Sequence, residues 1–96
     1  IVDNAPVGIA IADPDGVLLR ANPAFEEMLG YPPGGLVGRT VADLTVPDDY
    51  ARELPESARV AAGAAPGYRM EKRFRRADGS VVWGELAAAG VFGPDG

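Results

Sequence analysis

The chain contains no cysteine and no histidine. Without cysteine there is no disulfide, no thiolate metal site and no thiol nucleophile. Without histidine the commonest metal ligand is missing, as is the usual general base near neutral pH. Serine occurs only at Ser57 and Ser80. Catalysis requires a base, a nucleophile and an oxyanion site together, so the chain reads as non-enzymatic. No run approaches the ~18 apolar residues of a membrane span, and no basic stretch followed by an apolar one marks a secretion signal. Positive charge is scarce: nine Lys and Arg face fourteen Asp and Glu, for a net charge of -5. That balance argues against nucleic acid as a partner and, with the other absences, implies a cytoplasmic chain that does not engage a membrane. Large apolar side chains are also few. Alanine inflates the 47% hydrophobic content, and Leu, Ile, Val and Phe supply 23 of the 96 residues, a share just above the roughly 20% that marks disorder. Residues 1–96 therefore read as one small domain with a modest core, since chains of this size bury roughly 60–70% of their unfolded surface.

What is present is ordered by turn signals. Residues 7–13 are apolar and rich in β-branched side chains. Pro14-Asp15-Gly16 then marks a turn, and Val17 to Ala21 makes a second short strand, so the pair predicts a hairpin. Asn22-Pro23 switches the chain to helix, with Asn as cap and Pro at the first helical position. Phe25, Met28 and Leu29 share one face of that helix, and Gly30 is its stop. Tyr31 to Gly35 is a rigid connector. Leu36 to Leu44 suits short helical turns anchored by Leu36, Val37, Val41 and Leu44. Pro47-Asp48-Asp49 starts another helix, the acids lying at the positive end of its dipole. Pro55 is expected to break it, because an interior proline costs about 3 kcal/mol, leaving one piece to residue 53 and a second over 56–62. After a loop at 63–67, Tyr68 to Ala77 and Ser80 to Phe92 form a hairpin around Asp78-Gly79. Gly93 to Gly96 is one further turn.

Taken in order, these segments resemble a bacterial PAS domain over nearly the whole chain. The resemblance rests on Asp13 and Gly16 at the first turn, Asn22 with Phe25, Gly30-Tyr31, and Leu36 with Gly38-Arg39. It continues through Pro47 with Asp49, then Glu71, Arg73, Arg76, Asp78, Gly79 and Trp83. It implies an α+β, profilin-like fold: an antiparallel sheet with short helices on one face. In that family the sheet has five strands, and the last lies between the first and the fourth. This chain supplies four and ends at the turn leading to the fifth, so it is expected to be a fragment, short at both ends. Unpaired edges invite pairing with another chain. The expectation is a strand from a neighbouring molecule or direct pairing of the first and fourth strands. Val46 also departs from the family, many members of which carry histidine there.

The resemblance further implies a sensory domain of a signalling protein. It binds a small molecule between sheet and helices and relays to an effector domain of the same polypeptide, whether kinase, cyclase, phosphatase or transcription factor. Phe25, Met28, Leu29, Leu36, Leu44, Tyr50, Met70, Lys72, Phe74 and Leu86 are the candidate pocket residues, and Leu54 joins them as an interior position. Either they make a solid core or they surround a pocket. Gly8, Ala10, Ala12, Gly84 and Ala88 are small inward candidates that leave space beneath the helices, and a pocket of ~300 Å³ would host a small molecule. Lys72, the only lysine, either snorkels to water or pairs with a ligand anion. Strand alternation splits the basic cluster, Arg69, Arg73 and Arg75 taking one face and Lys72 and Arg76 the other, with Glu71 and Glu85 as counter-charges, so it reads as solvated charge rather than an anion site. Trp83, Arg73, Arg75 and Glu85 are the candidate interface on the outer sheet face, Trp83 being either a cap over exposed sheet, a cation–π partner, or the anchor of a homodimer. A homodimer is expected, and a ligand-free dimerisation or protein-docking module acting through this face is the rival reading of the domain. Without cysteine the flavin adduct of the photoactive (LOV) branch is excluded, and without histidine so is His-ligated haem. A non-covalent flavin or a metabolite is compatible with the sequence.

Overall fold

The computed structural model describes residues 7–90. Its elements are β1 (Val7–Ala12), β2 (Leu18–Ala21), α1 (Pro23–Leu29), α2 (Pro47–Ala61), β3 (Gly67–Arg75) and β4 (Val81–Gly90). The first turn forms as its residues dictate. Asp13 Oδ1 accepts hydrogen bonds from the N–H groups of Asp15 and Val17, both at 2.9 Å, and Gly16 takes the left-handed conformation at φ 82°. Asn22 caps α1 by accepting from Phe25 N at 2.9 Å. It also accepts from Ile9 N at 3.0 Å and donates to Val7 O at 3.1 Å, so one side chain both starts the helix and fastens it to β1. Gly30 ends α1 in the left-handed region.

The four strands lie in the order β2-β1-β4-β3. The β1/β2 and β3/β4 pairs are antiparallel. Between them β1 pairs with β4 in parallel, Val7 opposite Glu85 through Ala12 opposite Gly90. This is the direct pairing of first and fourth strands, and it makes the sheet mixed rather than wholly antiparallel. The 38–46 segment bonds to one end of the free side of each outer strand. On β2, Leu18 N donates to Arg39 O and Gly38 N to Leu18 O, both at 2.8 Å. On β3, Arg75 N donates to Leu44 O at 2.9 Å and Val46 N to Arg73 O at 3.1 Å. Such cover blunts the open edge at Leu18 and at residues 73–75. The flanking residues 1–6, Phe92 and the turn at 93–96 lie outside the described residues.

Three expectations need correction. Helix α2 is continuous from Pro47 to Ala61 with Pro55 inside it, instead of breaking at residue 53. Pro55 sits on the exposed face, where water can solvate the Ala51 carbonyl that the missing N–H leaves unpaired. Asp49 and Glu53 before the proline and Val60 after it are all buried against the sheet, and that packing holds the helix through the break. Leu54 lies on the water side at 47% exposure, because the 3.6-residue period that buries Glu53 turns Leu54 outward. The 36–44 stretch folds as successive turns without a regular helix. Leu36 and Leu44 reach the core, while Val37 is exposed. The core itself is Ala10, Leu18, Phe25, Leu29, Leu36, Leu44, Phe74 and Leu86, with Phe25 and Phe74 edge to face at 5.4 Å.

Candidate functional site

The glycines of the sheet do not leave empty space. A Cβ at Gly8 would stand 2.7 Å from Phe25 Cδ1, and one at Gly84 would stand 2.6 Å from Met28 Sδ. The absent side chains are thus the seats of two α1 residues. Space opens instead beside α2, where the sheet is alanine-rich. There Ala10, Ala12 and Ala88 face Ser57, Val60 and Ala61 across a cavity of about 50 Å³, with Lys72, Thr45 and Tyr68 also in its wall. It reaches the surface near Pro14, Ala61 and Ala89, which are exposed. A cavity needs about 10–15 Å³ of this kind of space per water molecule, so the site suits a ligand of a few non-hydrogen atoms. It does not fit a flavin or a porphyrin, whose sites run to ~300 Å³ and more. Among the described residues no group of three or more acidic side chains is placed to hold a metal ion.

One wall of the cavity is a buried polar network. Lys72, on the inward row of β3 between Met70 and Phe74, is 1% exposed, and Glu53 on α2 is 0% exposed. The Lys72 ammonium donates to Glu53 Oε1 and, at 2.8 Å, to Thr45 Oγ1. The Tyr68 hydroxyl donates to the other Glu53 oxygen, Oε2. Thr45 in turn donates to Val41 O at 2.6 Å. Lys72 therefore does not snorkel: the Glu53 carboxylate meets it inside, which is what a buried ammonium requires. Burial pushes the Lys72 pKa below its usual range, and the Glu53 charge opposes that shift. Burial, then the hydrogen bond to Glu53, pushes the Tyr68 phenol well above its usual range.

A second clamp lies one helical turn earlier. Asp49 Oδ2 accepts from Arg73 N at 2.7 Å and from Arg73 Nε at 3.0 Å, while Oδ1 accepts from Arg73 Nη2 at 2.9 Å. Arg52 adds a contact at 3.3 Å. These donors hold the Asp49 carboxyl well below the usual carboxylate range, the Arg73 side chain contributing most. Asp49 thus does more than complement the helix dipole. The same guanidinium lies 5.5 Å from the centre of the Trp83 ring, so Arg73 joins α2 to the outer sheet face across the β3 edge. Adjacent residues of β3, Lys72 inward and Arg73 over the edge, grip Glu53 and Asp49, which stand four residues apart on α2.

Of the candidate pocket residues, Phe25, Leu44, Lys72, Phe74 and Leu86 line the cavity. Met28 packs over Gly84 instead. Leu29 and Leu36 are solid core. Tyr50 and Met70 are half-buried away from the cavity wall. Sequence reasoning missed Thr45, Asp49, Glu53 and Tyr68. The signal for the acids was their four-residue spacing on α2, which the helix-dipole reading of Asp48 and Asp49 left unused. On the outer face Trp83 is 61% exposed and Val81 and Ile9 are exposed too. Arg73 stands directly opposite Trp83 and Arg75 opposite Val81. Glu85 faces Glu71 and is paired with Arg69 at 3.2 Å.

With this geometry in place, the chain's relationships are clear. The family model for the PAS fold matches residues 1–96, and the chain belongs to that family. It is 34% identical over 95 residues, 99% of its length, to the probable diguanylate cyclase DgcE of Escherichia coli. It is 26% identical over 89 residues, 93% of its length, to the sensor histidine kinase TmoS of Ectopseudomonas mendocina. It spans only 9% of the length of each. Among solved structures, a PAS domain from Colwellia psychrerythraea superimposes with a TM-score of 0.71 at 25% identity, over 92% of this chain and 74% of that one. Among the described residues no helix is long and apolar enough to cross a membrane.

Proposed function

We propose that this domain is the sensory module of a longer bacterial signalling protein. It takes a small molecule into the cavity beneath α2 and passes its occupancy to an effector elsewhere in the polypeptide. The carrying observation is that the cavity wall and the two charged clamps belong to the same helix. Ser57, Val60 and Ala61 of α2 line the space, and Asp49 and Glu53 of α2 are gripped by Arg73 and Lys72. An occupant that displaces α2 strains both clamps, and Arg73 carries the displacement to Trp83. A ligand shifts such an equilibrium only by its differential affinity for the two states, and a wall shared with the moving helix supplies that difference. The effector is a cyclase, kinase, phosphatase or transcription factor.

Amide NMR of the chain during a small-molecule screen tests the reading. A binder should perturb Ala10, Ala12, Val60 and Ala88 first, and an Ala88→Leu variant, which fills the space, should abolish the perturbation. A screen in which no compound perturbs the cavity amides overturns it.

A second reading is favoured by the exposure of Trp83, Val81 and Ile9 on one face: a homodimerisation or docking module. It predicts a concentration-dependent dimer that Trp83→Ala dissociates, seen by native mass measurement. A dimer unchanged by that substitution removes the assignment of this face.

A further inference from the structure

The hydrogen-bond capacity left over in the cavity wall specifies its ligand further. Three facts bear on it. First, the ammonium of Lys72 is neutralised where it stands. Both oxygens of Glu53 are occupied, one by Lys72 and one by Tyr68, so the inner wall presents one positive and one negative charge already paired. The other carboxylate in the lining, Asp13, lies beside the exposed Pro14 and accepts from the Asp15 and Val17 N–H groups. A second anion would be buried beside Glu53 with no counter-charge of its own, and a cation would stand against Lys72. Either is costly in a low-dielectric site.

Second, some polar capacity remains. An ammonium has three donors, and those of Lys72 reach Glu53 and Thr45, the ring of Phe74 lying 4.8 Å away. One N–H is thus without an oxygen acceptor among the described residues. The Tyr68 hydroxyl donates to Glu53 and is free to accept. Ser57 lines the same space and brings a further hydroxyl to it. Third, the rest of the inner wall is apolar, with Ala10, Ala12, Val60 and Ala88 on one side and the rings of Phe25 and Phe74 on the other.

We infer that the cavity takes a small uncharged molecule carrying one carbonyl or hydroxyl group on a short alkyl chain. Its oxygen accepts a hydrogen bond from the spare Lys72 N–H, and its alkyl end lies among the alanines. A molecule of about four to six non-hydrogen atoms matches the room for several waters that the cavity offers. The inference rests on the cavity reading proposed above and narrows it to one ligand class.

Three probes of like size separate the cases: propionamide, propionate and propylammonium, each titrated at pH 7 into the chain and into Ala88→Leu while cavity amide shifts are followed. Propionamide should shift Ala10, Ala12 and Ala88 saturably, with a Kd on the order of 1 mM, as so few atoms permit. The two ions should bind at least about tenfold more weakly. The Ala88→Leu variant should respond to none of them. Equal or tighter binding of either ion overturns the charge argument while leaving the cavity reading intact. Failure of propionamide to bind overturns the ligand class, and the cavity reading is then judged separately by the wider screen.

Discussion

Lys72 and Glu53 are opposite charges in a core that has few large apolar side chains to spare. A buried pair contributes little net stability, yet removing one partner leaves the other uncompensated and costs about 3–5 kcal/mol. Lys72→Met alone should therefore lose stability of that order in urea denaturation. The triple variant Lys72→Met, Glu53→Met, Tyr68→Phe, apolar throughout, should return to within about 2 kcal/mol of the parent. If Lys72→Met proves neutral by itself, the pair is not buried as described. Tyr68 gives a pH signature. Its folded pKa is raised by burial and by Glu53 above the ordinary 10.0, so the folded state keeps a proton that the unfolded state loses. The resulting stability is complete below pH 10 and declines as pH rises above it. Lys72, whose folded pKa is lowered by burial, contributes in the opposite sense up to about its ordinary 10.5. The fall is therefore read as the difference in denaturation midpoint between the parent and Tyr68→Phe across pH 9–11, which should shrink as pH rises. Asp49 works in the opposite sense. Its folded pKa lies below the ordinary 3.8, so its contribution is present above that value and declines as pH drops below it. At this scale Lys72 was half legible. Strand alternation put it on the inward row with Met70 and Phe74, but its partner sits nineteen residues away on a helix. No local pattern joins the two.

Helix α2 is where local rules and packing disagree, and packing decides. Its sequence carries the start signal at Pro47-Asp48-Asp49 and a break signal at Pro55, and only the first acts. Restoring the missing N–H with Pro55→Ala should stabilise the chain by about 1–3 kcal/mol, since interior proline costs about 3 relative to alanine. Denaturant unfolding measures this directly, and a destabilised variant would show that the proline shapes a required bend. The other elements were legible because their signals are short-range. Asn22-Pro23 and Gly30 bracket α1, and Asp78-Gly79 sets the β3–β4 turn, where Asp78 Oδ1 accepts from Ser80 N at 2.9 Å and from Ser80 Oγ at 2.6 Å. The small residues of the sheet were legible as a set but not in their use. Gly8 and Gly84 receive Phe25 and Met28, and only the alanines beside α2 border open space. A glycine in a strand marks a close approach, and here the approach is by side chains of the neighbouring helix.

For the whole molecule, the order of elements and the PAS class were readable in the sequence, whereas the join between β1 and β4 was left open between two arrangements. Strand pairing at the centre of a sheet depends on which strands are present to compete for it. With β4 laid directly against β1, no strand separates the two halves of the described sheet, and the 38–46 segment bonds to one end of each outer strand. That leaves its exposed outer face, with Trp83 at one end and Ile9 toward the other, as the surface through which a change at α2 can be read. Trp83 is the only tryptophan in the chain, and it sits against Arg73, which is held by Asp49 of α2. Its fluorescence during a propionamide titration, compared with the shifts of the cavity amides, tests the link from cavity to outer face most directly. The account predicts a saturable change in Trp83 emission with the same midpoint as Ala10 and Ala88. Cavity amides that saturate while Trp83 emission stays flat would contradict it.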